Sequence, residues 1–213
     1  MSMVIAVKNG NSIIMTADKR ITTTNIHGDI INFRDDYEKN VIIANKFILS
    51  FVGRTLILEC TLEYINTNLP ILDDATNYEN EVLFFKNAFL YGKEKFIEQL
   101  PGLEPMSIFF LGTLKNNNAT LVGFSSDNNF AGAEYEAAIK VNANNRLEED
   151  QLILETQEFI GSEIAKTNGQ IESYKELAEI YFSAIKRVED LMVGDTGTTL
   201  VLTTMGIEEY EHF

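Results

Sequence analysis

The sequence has few of the residues that build covalent cross-links and metal centres. It contains one cysteine, Cys60, three prolines, two histidines and no tryptophan. A single cysteine excludes an intramolecular disulfide, and the isolated His27 and His212 lack the Cys/His spacing of a zinc site. A glycine-rich loop of the kind that cradles phosphates is also missing. We therefore expect neither a metal nor an organic cofactor.

Basic residues are also scarce, because 17 Lys and Arg stand against 32 Asp and Glu and give a formal net charge of −15. A surface of that sign repels a phosphate backbone, so we expect no nucleic-acid partner. The sequence has no apolar run of about 18 residues, which a membrane-spanning helix needs. Its N-terminal run MVIAV is too short for the core of a signal peptide. These features predict a soluble, cytoplasmic protein with no membrane partner.

What the sequence does have is enough apolar residues for one full core. With 213 residues, 45% of them hydrophobic, we expect one domain spanning 1–213. Two apolar runs, 3–7 and 12–17, flank an Asn-Gly pair and predict a β-hairpin. The run VIIANKFILSF, residues 41–51, predicts a second hairpin turned at Ala-Asn-Lys.

Helices and further strands follow these hairpins. Apolar residues at helical spacing predict helices over 55–68, 80–98 and 173–192. Strands are predicted for SIFFLGTL, ATLVGFSS, AAIKVNA, QLILETQEF and TTLVLTTMG, and the final EEYEHF is expected to be an exposed acidic tail. The order of strands and helices predicts an α+β fold of two stacked, mainly antiparallel sheets with helices outside, a four-layer α/β/β/α sandwich.

Several polar or small residues stand at the ends of the apolar runs, where each alone is most simply a solvated side chain. They occur in the segments TADKR, FVGR, EFIGSEIA and RVEDLMVG and before VII, at Ala17, Asp18, Arg20, Lys39, Gly53, Gly161, Ser162, Asp190, Val193 and Gly194. In this order and spacing the chain resembles, over nearly its whole length, the proteasome β-subunit family and other N-terminal nucleophile hydrolases.

The resemblance implies that the N-terminal residue of the mature chain is the nucleophile. Counting sixteen residues back from Asp18 without a gap places Ser2 at that position, which removal of Met1 would expose. Aligning on the hairpin turn instead, with a one-residue insertion, places Met1 there. The two registers differ physically, because a one-residue slip turns a strand side chain to the opposite face.

In the first register the resemblance implies a mechanism of acyl transfer. The hydroxyl of Ser2 attacks a carbonyl, and its own α-amine, whose unperturbed pKa is about 8, acts as the general base. Lys39 lowers the pKa of that amine and Asp18 holds Lys39 in place.

Other matched positions complete this implied site. Gly53 supplies the oxyanion N–H, and Ser162 and Asp190 orient the amine. Arg20, and Arg54 at the mouth of the groove, are expected to bind substrate. A cation at Arg54 favours an acidic or C-terminally charged substrate, and the alternative is that Arg54 pairs with Glu59 or a nearby Asp. The chain departs from the family pattern in its serine nucleophile, in Val193, in Arg54 after Gly53 and in a longer interval over 21–38.

Three functions remain open from the sequence. The first is an N-terminal nucleophile amidohydrolase, most simply a peptidase. The second is a catalytically inactive proteasome-like structural or assembly protein that retains Met1. The third is a transpeptidase or small-amide hydrolase using the same residues, since pocket shape sets the acceptor. The resemblance also implies a homo-oligomer, with a ring as one form of assembly. It further implies that the protein acts on a peptide or amide substrate.

Overall fold

The fold begins with the N-terminal hairpin that the sequence predicted around Asn-Gly. The structure is a computed structural model, and it describes residues 3–24, 30–75, 77–141, 146–168, 170–188 and 193–213. The strands are β1 (Met3–Asn9), β2 (Ser12–Asp18), β3 (Ile21–Thr24), β4 (Ile30–Arg34), β5 (Asn40–Ile43), β6 (Phe47–Gly53), β7 (Ser107–Lys115), β8 (Asn118–Ser125), β9 (Ala133–Tyr135), β10 (Ala137–Val141), β11 (Gly197–Thr203) and β12 (Gly206–His212). The helices are α1 (Thr55–Thr67), α2 (Leu69–Asp73), α3 (Tyr78–Gln99), α4 (Arg146–Lys166) and α5 (Tyr174–Lys186).

The strands form antiparallel sheets. One five-stranded sheet has the order β10-β1-β2-β11-β12, the other has the order β5-β6-β7-β8-β9, and β3 pairs with β4 in a two-stranded ribbon. Both predicted hairpins are confirmed, as β1–β2 and β5–β6. The second turns through Ala44 and Asn45, which both have φ of 51°. Positive φ at both turn residues matches the right-handed twist of the paired strands.

Buried side chains form separate clusters on the faces of the two large sheets. The first lies where α1 and α3 cover the β5–β9 sheet, and it is rich in phenylalanine: Phe47, Phe51, Phe85, Phe89, Phe109, Phe124 and Phe130. The second joins residues of the two sheets: Val4, Ile13, Met15, Ile48, Phe110 and Leu121. The third joins the other face of β1 and β2 to α5: Met3, Ile5, Ile14, Leu177, Phe182 and Ile185. Alternate residues of β1 therefore belong to different clusters, as strand geometry requires.

Two elements differ from the sequence prediction. The segment QLILETQEF, predicted as a strand, lies inside α4, because a short apolar run fits a buried strand or a helix equally well and its Leu, Gln and Glu favour a helix. Glu148 and Glu149 stand in the first turn, where acidic residues are favourable. The C-terminal EEYEHF is not a free tail, because it lies in β12, paired with β11.

In the part of the chain that the structure describes, no helix is both long and apolar enough to cross a bilayer.

Candidate active site

Asp18 lies at the centre of a buried polar cluster at one end of the two large sheets. It is the last residue of β2, opposite Gly197 of β11, and its side chain is fully buried. Its Oδ1 accepts a hydrogen bond from the amide of Met3 at 2.8 Å. Its Oδ2 accepts from the amides of Arg20 at 3.1 Å and Gly194 at 3.2 Å. A buried carboxylate needs such donors, since an unpaired charge away from water is costly.

Lys39 supplies the cation that pairs with this carboxylate. It comes directly before β5 in the other large sheet, and its Nζ lies 2.8 Å from Asp18 Oδ2 with the side chain only 2% exposed. Burial lowers the pKa of Lys39, while the charge of Asp18 and the hydrogen bond to it act in the opposite direction. The two sheets are thus joined by a buried ion pair at the position where the sequence predicted catalytic residues.

Asn40, which the sequence analysis did not single out, fixes the position of Lys39. Its Nδ2 donates to the carbonyls of Met15 at 3.1 Å and Thr198 at 2.6 Å, both in the other sheet. Its Oδ1 accepts a hydrogen bond from Ser50 on β6. One signal was present in the sequence, because a buried amide in the apolar run Asn-Val-Ile-Ile needs partners in the fold.

Arg20 does not face a substrate groove as the sequence predicted, because it is 8% exposed and its charge is used internally. Its Nε and Nη2 donate to the two carboxylate oxygens of Asp35, each at 2.6 Å, and its Nη1 donates to the carbonyl of Val193 at 3.0 Å. The hydrogen bonding with Asp35 raises the pKa of Arg20. A bidentate pair of this kind is geometrically specific, so Arg20 holds the segment at Val193 beside Asp18.

Gly53 ends β6 opposite Ser107, with φ of 138°. A Cβ at this position would lie 2.4 Å from the carbonyl oxygen of Met106, so only glycine fits without a backbone shift. The next residue, Arg54, is exposed, and its Nε lies 3.4 Å from the carbonyl oxygen of Glu104. The structure therefore shows that Gly53 allows close contact between neighbouring strands.

Within the described ranges, His, Cys, Asp and Glu do not form a group of three or more that could hold a metal ion. The cluster around Asp18 holds a buried ammonium and a carboxylate whose oxygens accept hydrogen bonds from main-chain amides. Groups of this kind can shift the pKa of a neighbouring amine and stabilise a developing negative charge.

Comparisons with known proteins bear on the fold. Neither the protein-family models nor the curated proteins contain a match to this chain. Among solved structures, a mutant of Anbu from Hyphomicrobium sp. strain MC1 is similar, with a TM-score of 0.67 and 14% identity over 100% of this chain and 87% of that one. The fold is proteasome-like. At 14% identity the likeness to Anbu concerns the fold alone.

The proteasome-like fold brings some of the predicted site residues together and separates others. Asp18 and Lys39 are in contact, and Arg20 is bonded to Asp18 through its main chain. Ser162 does not join them: it is exposed in the middle of α4, where its hydroxyl donates to the carbonyl of Phe159 at 2.8 Å. Gly161 and Ser162 follow a helical turn and not a strand, which removes the basis for aligning them with the family motif.

Three further predicted residues, Met1, Ser2 and Asp190, lie outside the residues that the structure describes. Described residues that lie near them in the chain do reach the cluster. Met3, next to Ser2, and Gly194, four residues after Asp190, both donate amide hydrogen bonds to Asp18.

Proposed function

We propose that this protein is an N-terminal nucleophile amidohydrolase, most simply a peptidase, in which removal of Met1 makes Ser2 the nucleophile. One observation carries the proposal: the buried Lys39–Asp18 pair is bonded to the amide of Met3, the residue joined directly to Ser2. An ion pair can stabilise a fold without lying next to the N-terminal residue. Beside a terminal amine, however, its ammonium acts on the pKa of a catalytic base.

The proposed reaction proceeds through an acyl-enzyme. The Ser2 hydroxyl attacks the substrate carbonyl while its proton passes to the α-amine of the same residue, directly or through a water. The amine then gives the proton to the leaving nitrogen as the amide bond breaks, and an ester to Ser2 remains. Water attacks this ester while the amine takes a proton from it. The bond between the acyl group and Ser2 then breaks, the amine returns the proton to the Ser2 oxygen, and the acid product leaves.

Lys39 and Asp18 have separate tasks in this scheme. The ammonium of Lys39 lowers the pKa of the α-amine, whose ordinary value is about 8, and favours negative charge on the attacked oxygen. The carboxylate of Asp18 opposes the effect of burial and favours the charged form of Lys39. The amide of Gly53, at the end of β6, is the proposed oxyanion donor, and the carbonyl oxygen of Met106 leaves no room there for a Cβ.

The proposed layer order is the four-layer α/β/β/α sandwich. Its support is the distribution of the buried clusters, of which one joins the two sheets and the others join each sheet to helices. We also propose a homo-oligomer that assembles through the α1–α3 layer. Ile71, Leu83 and Ile97 of this layer are 59%, 54% and 45% exposed, and a partner copy would cover them. The mass in solution, measured by light scattering, tests this assembly.

The test of the catalytic proposal begins with the intact mass of natively expressed protein that carries no N-terminal tag. We expect a mass lower by one methionine and then stoichiometric labelling by a peptidyl β-lactone. The Ser2→Ala variant should still lose Met1, since alanine is also small, but should not be labelled. Ser183→Ala, which removes an exposed hydroxyl on α5, is the matched control and should be labelled like the wild type.

The opposite result selects the structural alternative. If Met1 is retained and neither the wild type nor the control is labelled, the buried ion pair serves only to hold the sheets together. If labelling occurs and an added amine competes with water for the acyl group, the protein is a transpeptidase that uses the same residues.

A further inference from the structure

We infer that a cleft beside this site binds an apolar side chain of the substrate. The inference rests on the proposed function because it assumes a substrate, but its test does not require the protein to be active. The cleft has a volume of about 360 Å³ and lies where the β9 and β10 edges of the two large sheets meet α4. Its apolar wall comes from both sheets and the helix: Ile108, Phe110, Tyr135, Ile139 and Ile153.

The strand register places this cleft at the same end of the sheets as Asp18. In the first sheet Val141 of β10 lies opposite Met3, and Ile139 is two residues further along the strand. In the second sheet Ser107 lies opposite Gly53, and Ile108 is the next residue. Two residues of strand span about 7 Å, and β10 lies two strands, about 10 Å, from β2, which carries Asp18, so Ile139 is about 12 Å from Asp18. An extended peptide covers that distance in three or four residues.

The lining of the cleft is chemically suited to a neutral, apolar group. Lys140 contributes a charge, but its ammonium is paired with Glu149. Asn128 contributes an amide whose Oδ1 accepts from the Ala131 amide at 3.2 Å, and Ser125 contributes a hydroxyl that accepts from the Asp127 amide at 3.3 Å. Gln157 of α4 adds an exposed, neutral amide to the lining. The polar groups that already have partners gain little from a polar ligand, whereas the aliphatic and aromatic wall gains from being covered.

A glycine on β8 shapes the outer wall. A Cβ at Gly123 would lie 2.7 Å from the ring of Tyr135, so the absence of a side chain lets this ring lie against β8. Tyr135 remains 44% exposed and borders the opening. The volume falls in the range of about 300–1,000 Å³ that small-molecule sites occupy, which is ample for one large side chain.

The groove between α4 and α5 serves as a contrast. It is lined by Glu155, Glu158, Glu163, Lys166 and Arg187, so charged residues dominate it. The cleft at β10 therefore differs from its surroundings in a protein of net charge −15. Among the described residues that line the cleft, the cation is Lys140, which is already paired, so a negatively charged side chain gains little there.

The test uses the full chain with ¹³C-labelled isoleucine δ1 methyl groups and two small probes, N-acetyl-leucine amide and N-acetyl-glutamate amide. The leucine probe should shift the methyl signals of Ile108, Ile139 and Ile153, each assigned through its Ile→Val variant, while the signal of the distant Ile71 stays in place. The glutamate probe should bind at least about tenfold more weakly, which corresponds to about 1.4 kcal/mol.

Two variants control for indirect effects. Ala137 lines the cleft and is exposed, so Ala137→Phe should fill the cleft without disturbing the core and weaken the leucine probe at least tenfold. Ala165→Phe places the same side chain on an exposed part of α4 away from the cleft and should bind like the wild type. Thermal unfolding of both variants checks that they fold.

The outcomes separate the two proposals. The inference is overturned if the leucine probe shifts none of the cleft methyls up to its solubility limit, if both probes bind equally, or if Ala137→Phe has no effect. Because the probes need no nucleophile, the Ser2→Ala protein should give the same spectra. A failure of β-lactone labelling would therefore refute the amidohydrolase without removing binding at the cleft.

Discussion

Replacing Asp18 by asparagine should destabilise the protein far more than the loss of one ion pair at the surface. The substitution leaves Lys39 2% exposed with its ammonium unpaired. It also replaces one carboxylate oxygen by an NH₂ group. In either orientation of the asparagine side chain this NH₂ faces another N–H donor, either the amide of Met3 or the donors at Oδ2. Breaking a buried pair in this way costs about 3–5 kcal/mol. That is a large part of the total stability of a typical domain, about 5–15 kcal/mol.

A matched surface pair isolates the effect of burial. Lys8 and Glu136 are also 2.8 Å apart, but their side chains are 30% and 80% exposed. Glu136→Gln should therefore cost less than about 1 kcal/mol. Urea unfolding followed by circular dichroism gives both values by linear extrapolation.

The double variant Asp18→Asn/Lys39→Met gives a second check on the reasoning. Lys39→Met removes the ammonium but keeps most of the side-chain volume, so the double variant should recover part of the stability that Asp18→Asn alone loses. Equal costs for Asp18→Asn and Glu136→Gln, or a double variant whose loss is the sum of the single losses, would refute the account of the buried pair.

Substitutions and reactivity at Gly53, His212 and Cys60 test other features of the structure. Gly53→Ala should cost about 1–3 kcal/mol more than Gly10→Ala in urea unfolding, because both glycines have positive φ but a Cβ meets close atoms only at Gly53; equal costs would contradict this. Burial lowers the pKa of His212, so the unfolded chain takes up a proton first and stability falls as the pH drops below about 6.5. His212→Gln should show a smaller fall from pH 7 to pH 5, about the range in which histidine titrates, and an unchanged pH profile would argue against burial of the ring. Burial raises the pKa of the Cys60 thiol, which is 6% exposed, so a thiol reagent should react slowly with native protein and fast in urea; fast native reaction would contradict its burial.

The sequence was informative wherever a local pattern decided the structure. The Asn-Gly pair predicted the β1–β2 turn. The contact between Asp18 and Lys39 was implied by the family resemblance and not by a local pattern. Local patterns were less informative for QLILETQEF, where a run of this length satisfies a strand or a helix until its neighbours are known. The prediction of an exposed tail missed β12, because only Ile207, Tyr210 and His212 of that strand are partly buried.

Long-range partners could not be read from the sequence at all. Asp35 stands in the charged run RDDYEK, which suggests a solvated loop, yet it holds Arg20 in a bidentate pair. Asn40 reaches Met15 and Thr198, which are 25 and 158 residues away along the chain. Such contacts depend on how the sheets are stacked, and the spacing of residues within one strand carries no information about that arrangement.

The hydrogen bond from Gly194 to Asp18 determines when, during translation of the chain, the cluster around Asp18 can be completed. The two residues are 176 positions apart, so a ribosome completes β1, β2 and Lys39 long before it makes the amide that completes the carboxylate's surroundings. Strand β11, which pairs with β2, arrives equally late. A nascent chain that ends before Gly194 therefore lacks one of the donors to Asp18 and the strand that pairs with β2. The candidate centre becomes complete only after most of the polypeptide has been made and β11 has paired with β2.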